Sequence, residues 1–240
     1  MRPVNKGESP YITIGDYCEA LPYLEDRIGL YCSFCGFPIP HVPEVEHVTA
    51  KAEGGDLTAW GNLLLGCKYC NTRKGKKVTP ENVEDYLWPD RYNTALAYTY
   101  DHGVPAVNAS ILMTVDPEGS ALAKARHLFD LVQLDHIPTA REKDRRFRTR
   151  NKAFEVACDS FADYQEGKKN DPNSIELLRR IIVRTAIQSG FFSVWMTVFK
   201  EEPEVLRALI AAFPGTEKEC FDDNGMPKLI LVKEKVLCTV

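Results

Sequence analysis

Two Cys-x-x-Cys pairs, Cys32/Cys35 and Cys67/Cys70, are separated by 31 residues, and between and beside them stand Glu46, His47, Asn62 and Asn71. Four thiolates make a tetrahedral zinc set, because two residues between ligands let both sulfurs of a pair face one ion. Such a zinc is a structural staple, and its binding free energy becomes folding free energy. A staple alone has no use for Glu46-His47. Hydrolysis of a phosphodiester has: it needs a base to deprotonate water, a divalent cation to neutralise the leaving oxygen, and donors to fix the geometry. A neutral His47 can be the base. Glu46 and the Asn71 carbonyl are hard oxygen donors of the kind Mg²⁺ or Mn²⁺ takes while keeping several waters. Asn62 carries both a donor and an acceptor and can hold the loop that orients His47. His41, His102, His127 and His136 lack such company and read as structural or solvated.

These side chains need a frame. Val42, Val45 and Val48 predict a strand behind the first cysteine pair, residues 52–56 a glycine loop, and Asn71 to Lys77 a short basic helix. Neighbours on a strand point to opposite faces, so the strand must end or bulge at Glu46-His47 for both to serve one site. Upstream lies a lead-in, extended at Pro10–Ile14 and helical over Asp16–Arg27. Downstream, Thr79-Pro80 reads as a helix start broken at Trp88-Pro89. Ala95–Tyr100 and Val104–Asn108 read as two strands about an Asp101-His102-Gly103 turn, and Ile111–Val115 as another. From Ser120 the period is helical: an amphipathic helix carrying Leu122, Ala125, Leu128, Phe129 and Val132, a long charged helix over Arg141–Glu166, one or two buried helices over Ser174–Lys200, and a short one at Pro203–Phe213. Leu229–Val232 reads as a late strand. The expectation is an α+β chain: a zinc-stapled unit in residues 1–116, then a mainly helical partner-binding or regulatory region in residues 117–240.

At 240 residues, 44% hydrophobic and 27% charged, the chain is long enough to bury a real core. No apolar run follows the N-terminal charges and none nears membrane length, so a cytoplasmic protein with no membrane partner is expected. Cysteines there stay reduced. Cys18, Cys158, Cys220 and Cys238 then read as packing residues.

The formal net charge is −4, so any nucleic-acid surface must be local. One candidate is Lys68, Arg73, Lys74, Lys76 and Lys77, with no acid among residues 67–77. A second is Arg141–Lys152, seven basic residues against two acidic, in which Arg145, Arg146 and Arg148 would meet phosphates. A solvated helix face is the plain alternative. Trp88, Tyr92, Tyr98 and Tyr100 could stack bases, although aromatics here more often build a core.

The run Cys32/Cys35, Glu46-His47, Gly54-Gly55, Asn62-Leu63, Cys67/Cys70-Asn71 resembles the HNH endonucleases of the ββα-metal class. The resemblance implies His47 as general base, Asn62 as its orienting residue, and Glu46 and Asn71 as ligands of the catalytic cation. It departs from the usual pattern in three places: Glu46 for Asp, Asn71 for His, and Ala50 where a proline often follows. Met1 to Gly7, Val45-Glu46-His47-Val48, Cys70 to Gly75, Trp88 to Arg91, and Leu134-Asp135 with Asp144-Arg145-Arg146 also resemble the HNH nuclease of the Septu anti-phage system and its retron-associated form. That resemblance implies an effector of phage defence with an ABC/SMC-type ATPase partner, and in the retron form a reverse transcriptase with its RNA–DNA product. DNA is the expected substrate and RNA, such as tRNA, the alternative. A non-catalytic zinc module that binds partner proteins is the other reading, and it leaves Glu46, His47, Asn62 and Asn71 unexplained.

Overall fold

Asp16 accepts from the Cys18 N–H at 2.7 Å while Glu19 accepts from the Asp16 N–H at 2.9 Å. This capping box opens a 3-10 turn, Tyr17–Ala20, that runs into helix α1 (Leu21–Ile28). The computed structural model describes residues 1–231. The first cysteine pair follows α1, and then strands β1 (Glu44–His47) and β2 (Leu63–Gly66) pair antiparallel, Glu44 opposite Gly66 and His47 opposite Leu63. Leu63-Leu64-Leu65 is a continuous apolar run, the pattern of a strand covered on both faces, and β2 is entirely buried. Helix α2 (Lys68–Lys74) begins at once, its first turn capped by Cys67, whose Sγ accepts from the Cys70 N–H at 3.4 Å. The helical start is therefore Lys68, three residues before the expected Asn71.

No α-helix forms after Thr79-Pro80. The Thr79 hydroxyl is spent on Glu81 at 2.6 Å instead of capping, and only a 3-10 turn, Val83–Asp85, results. A single helical turn, α3 (Thr94–Ala97), precedes the hairpin β3 (Tyr98–Asp101) and β4 (Val104–Val107). Its two-residue turn, His102-Gly103, has positive φ at both positions, as predicted for the Asp101-His102-Gly103 turn. Residues 111–115 are not a strand. They belong to helix α4 (Ala109–Val115), which buries Leu112 beside α5 (Ser120–Val132), so that tertiary packing overrides β-branched propensity. Pro10–Ile14 forms no strand either.

The long helix α6 spans Arg146–Asn170, five residues short of the expected Arg141 start, because Asp144 accepts from the Arg146 N–H and keeps the preceding chain in turns. Its buried residues, Arg146, Arg150, Ala153, Ala157 and Tyr164, recur every three, four or seven positions and give a narrow inward stripe. α7 (Ile175–Ser189), α8 (Phe192–Val198) and α9 (Pro203–Ala212) complete the helical layer. Residues 229–231 are irregular; Val232 and Cys238 lie outside the described residues. Cys18 is exposed, contrary to a packing role, whereas Cys220 is buried and Cys158 half-buried.

Two cores result. One surrounds β2, the four paired cysteines, Trp88 and α5. The other surrounds Trp195, Phe199 and Phe213 among α6–α9. Tyr31, next to Cys32 in the chain, belongs to the second core, its ring 5.1 Å from Phe213 and its hydroxyl donating to Ile187 O at 2.8 Å. Trp88, Tyr98 and Tyr100 are core residues, at most 4% exposed, so they cannot stack bases. The lead-in is a buried tie rather than an appendage: Val4 N–H donates to Pro89 O, Asn5 N–H to Gly215 O, and Lys6 ion-pairs with Asp90 at 3.0 Å. Among the described residues no helix is long and apolar enough to cross a membrane.

Candidate active site and zinc centre

All four sulfurs of Cys32, Cys35, Cys67 and Cys70 lie within 4.8 Å of one another, and every one of these residues is buried. A tetrahedron with Zn–S bonds of about 2.3 Å has edges of about 3.8 Å. The Cys35–Cys67 separation is 3.8 Å. The donor set and its spacing therefore fit zinc. The frame carries β1 and β2 with it, since Ser33 N–H donates to Leu65 O at 2.9 Å.

Beside this frame opens a cleft of about 240 Å³, lined among others by Tyr17, Glu46, His47, Lys51, Asn71 and Lys74. β1 ends at His47, and this termination lets Glu46 and His47 line one cleft although they are neighbours. His47 is 6% exposed, and its Nε2 lies 3.0 Å from Leu57 O. A neutral imidazole that donates from Nε2 keeps its lone pair on Nδ1, the nitrogen then able to take a proton. Burial pushes the His47 pKa below the ordinary 6.5, with the positive charges of Lys51 and Lys74 adding to it, so the ring is neutral at pH 7.

Asn62 does not touch the imidazole. Its Oδ1 accepts from Thr49 N–H at 2.8 Å, and its Nδ2 donates to Thr49 O at 3.2 Å and Asp56 O at 2.7 Å. It thus ties Thr49 to Asp56 across the loop that presents the Leu57 carbonyl to His47. Gly55 makes the loop possible: a Cβ there would lie 2.2 Å from Thr49 O. Gly66 does the same for the cleft floor, because its Cβ would meet Glu46 Cβ at 3.1 Å and Asn71 Cβ at 3.9 Å.

Glu46 is 4% exposed and paired with Lys74 at 2.8 Å. Burial raises its pKa above the ordinary 4.5, and Lys74 opposes that rise. Asn71 Nδ2 donates to Glu44 Oε2 at 2.7 Å, which fixes the amide and leaves Oδ1 as its metal-binding end. One carboxylate and one amide carbonyl at a shared cleft fit a hard divalent cation that keeps most of its waters. Glu44 was not foreseen. Nor was Tyr17, whose ring lies edge-on 4.8 Å from the His47 ring and whose hydroxyl accepts from Lys51 at 3.2 Å. Glu44 carries a signal in hindsight, two residues before Glu46 and hence on the same strand face; Tyr17 carries none.

The basic residues divide. Lys68, Lys76, Lys77, Arg145 and Arg148 are exposed, as a phosphate-binding surface requires. Lys74 is 1% exposed and Arg146 2%, so neither reaches a polynucleotide: the helical period turns Lys74 onto β1 and Arg146 onto the zinc cysteines. Arg73 is largely covered and paired with Asp144 at 3.2 Å. Lys74→Ala should strand a buried carboxylate and cost about 3–5 kcal/mol of stability. Denaturant unfolding measures the loss. Nucleic-acid affinity without divalent ions should not change; a weakened affinity would return Lys74 to the binding surface.

The cysteine frame, the strand pair and the capped helix together span the matched segment. Residues 32–77 match the HNH endonuclease family. This segment is an HNH domain at the N-terminal side of a chain whose C-terminal part is helical. The chain has no significant match among curated proteins or among solved structures. The HNH family is one of nucleases that use divalent metals, and the four buried cysteines add a potential zinc site.

Proposed function

We propose that the chain is a metal-dependent endonuclease that hydrolyses DNA phosphodiester bonds. One observation carries the reading: His47 is buried and neutral, with Nε2 committed to Leu57 O, in the same cleft as Glu46 and Asn71. His47 takes the proton of the attacking water through Nδ1. Glu46 and Asn71 would hold Mg²⁺ or Mn²⁺, which would supply charge neutralisation at the leaving oxygen. Lys76 and Lys77, exposed just beyond the cleft-lining helix, draw the backbone in. A non-catalytic zinc module would need none of this.

The similarity of Met1–Gly7, Cys70–Gly75 and Trp88–Arg91 to the Septu and retron-associated nucleases supports a cytoplasmic role in phage defence. The helical region would dock an ABC/SMC-type ATPase there, and a reverse transcriptase with its RNA–DNA in the retron form. The test is to incubate the purified chain, alone and with the product of its neighbouring gene, with supercoiled plasmid, single-stranded DNA circles and total RNA under Mg²⁺. Nicked or linear plasmid is expected. Shortening of RNA alone would replace DNA by RNA, and no cleavage in any mixture would leave the zinc module.

A further inference from the structure

The helical region grips both zinc knuckles. At the second, Arg146, the first residue of α6, donates to Cys70 Sγ at 3.3 Å. The same guanidinium donates to Val132 O at 2.8 Å, to Gln133 O at 3.2 Å and to both oxygens of Asp144. At the first knuckle, Phe191 N–H donates to Gly36 O at 2.8 Å. That corner between α7 and α8 is tight: Phe191 has φ +54°, and a Cβ on Gly190 would lie 2.8 Å from Gly36 O. One turn along α6 from Arg146, Arg150 is fully buried. Its Nε donates to Gly103 O at 2.6 Å, and its two terminal nitrogens have no hydrogen-bond partner.

A buried guanidinium with unmet donors is costly unless an anion lies near. Burial lowers the Arg150 pKa, and Tyr100, Cys35 and Asp144 oppose that fall. Zinc with four thiolates carries two net negative charges in a site closed to water. Asp144 is shared between Arg146 at 2.9 Å and Arg73 at 3.2 Å, so this corner keeps a net positive charge beside the cluster, and Arg146 is the group that touches a sulfur.

We infer that Arg146 is an outer-shell partner of the zinc site, so that α6 is a constituent of the metal centre rather than a neighbour of it. The inference rests on the four-cysteine zinc reading. Outer-shell partners fix ligand geometry and charge, and their loss lowers metal affinity by about 10- to 100-fold.

Zinc competition with a chromophoric chelator, and the thiolate-to-metal bands of the Co²⁺-loaded full chain, test it. Arg146→Met should lose affinity by about 10- to 100-fold and shift the Co²⁺ bands. Asp144→Asn removes the carboxylate that staples the turn before α6 but leaves the N–H···S contact, so it should change stability with Co²⁺ bands and zinc affinity unaltered. If Arg146→Met does not fold, Arg146→Lys replaces it; it keeps the charge but not the fork, and a band shift is still expected. Zinc held as tightly with unshifted bands, or an equal loss in Asp144→Asn, would overturn the outer-shell role. A parent chain that takes up no zinc would instead overturn the zinc reading itself.

Discussion

His47→Ala is expected to lower cleavage by about 100- to 10,000-fold, the usual contribution of a positioned general base. That corresponds to about 3–5 kcal/mol of barrier. The structural cost is far smaller: the substitution removes one hydrogen bond to Leu57 O, worth about 1 kcal/mol. Zinc content and melting temperature should therefore stay near those of the parent while activity disappears, and this separation distinguishes a base from a fold-supporting histidine. The pH profile makes a second demand. The base works only when deprotonated, so activity rises as pH climbs through the His47 pKa and then levels off. Because burial lowers that pKa, the midpoint of the rise should lie below the ordinary 6.5. An acid limb centred above 6.5, or a His47→Ala chain that cleaves as well as the parent, would assign the proton transfer to another group. Asn62→Ala provides the contrast: it loosens the 49–57 loop without removing the imidazole, so it should lower the rate less and leave the plateau where it is.

The residues legible in the sequence were those whose chemistry depends on type and short spacing. The Cys-x-x-Cys pairs, Glu46-His47 and Asn71 needed only side-chain identity and local order. The hairpin turn at His102-Gly103 was legible for the same reason, since positive φ at two successive residues selects such pairs. What stayed hidden was set by contacts far apart in the chain. Lys74 and Arg146 look like phosphate ligands in a list of charges, yet the helical period aims each at a buried acidic group. Short segments far apart in the chain meet in space: Lys6 with Asp90 at 3.0 Å, Glu46 with Lys74 at 2.8 Å, Arg73 with Asp144 at 3.2 Å, and Cys70 with Arg146 at 3.3 Å. Their separation along the chain hid a single connected polar interior. The strand expected at 111–115 is instead part of α4, whose Leu112 is buried and which packs against α3 and α5, contacts that the local pattern does not show.

Cys67→Ser is expected to abolish zinc binding and cooperative folding of the HNH domain together. Zinc bound by a structural four-cysteine site contributes about 10–16 kcal/mol of apparent free energy at pH 7. Whole-domain stability is about 5–15 kcal/mol, so the metal is comparable to the entire margin. Cys67 is the most damaging of the four positions because it has three tasks: it is a ligand, it caps α2, and it follows directly on β2. Loss of the cluster also removes the Cys70 sulfur that Arg146 contacts at the start of α6, so the damage should spread into α6 rather than stop at the nuclease unit. Circular dichroism should show helix loss exceeding what the seven residues of α2 can supply. The two metals can be told apart by their exchange. A brief EDTA treatment should stop cleavage reversibly, with Mg²⁺ or Mn²⁺ restoring it, while zinc remains bound and the melting curve is unchanged. Prolonged chelation under mild denaturant should release zinc and unfold the protein. A Cys67→Ser chain that stays soluble, melts cooperatively at the parent temperature and keeps its helix content would show that hydrophobic burial around Leu63–Leu65, rather than the metal, holds this unit together.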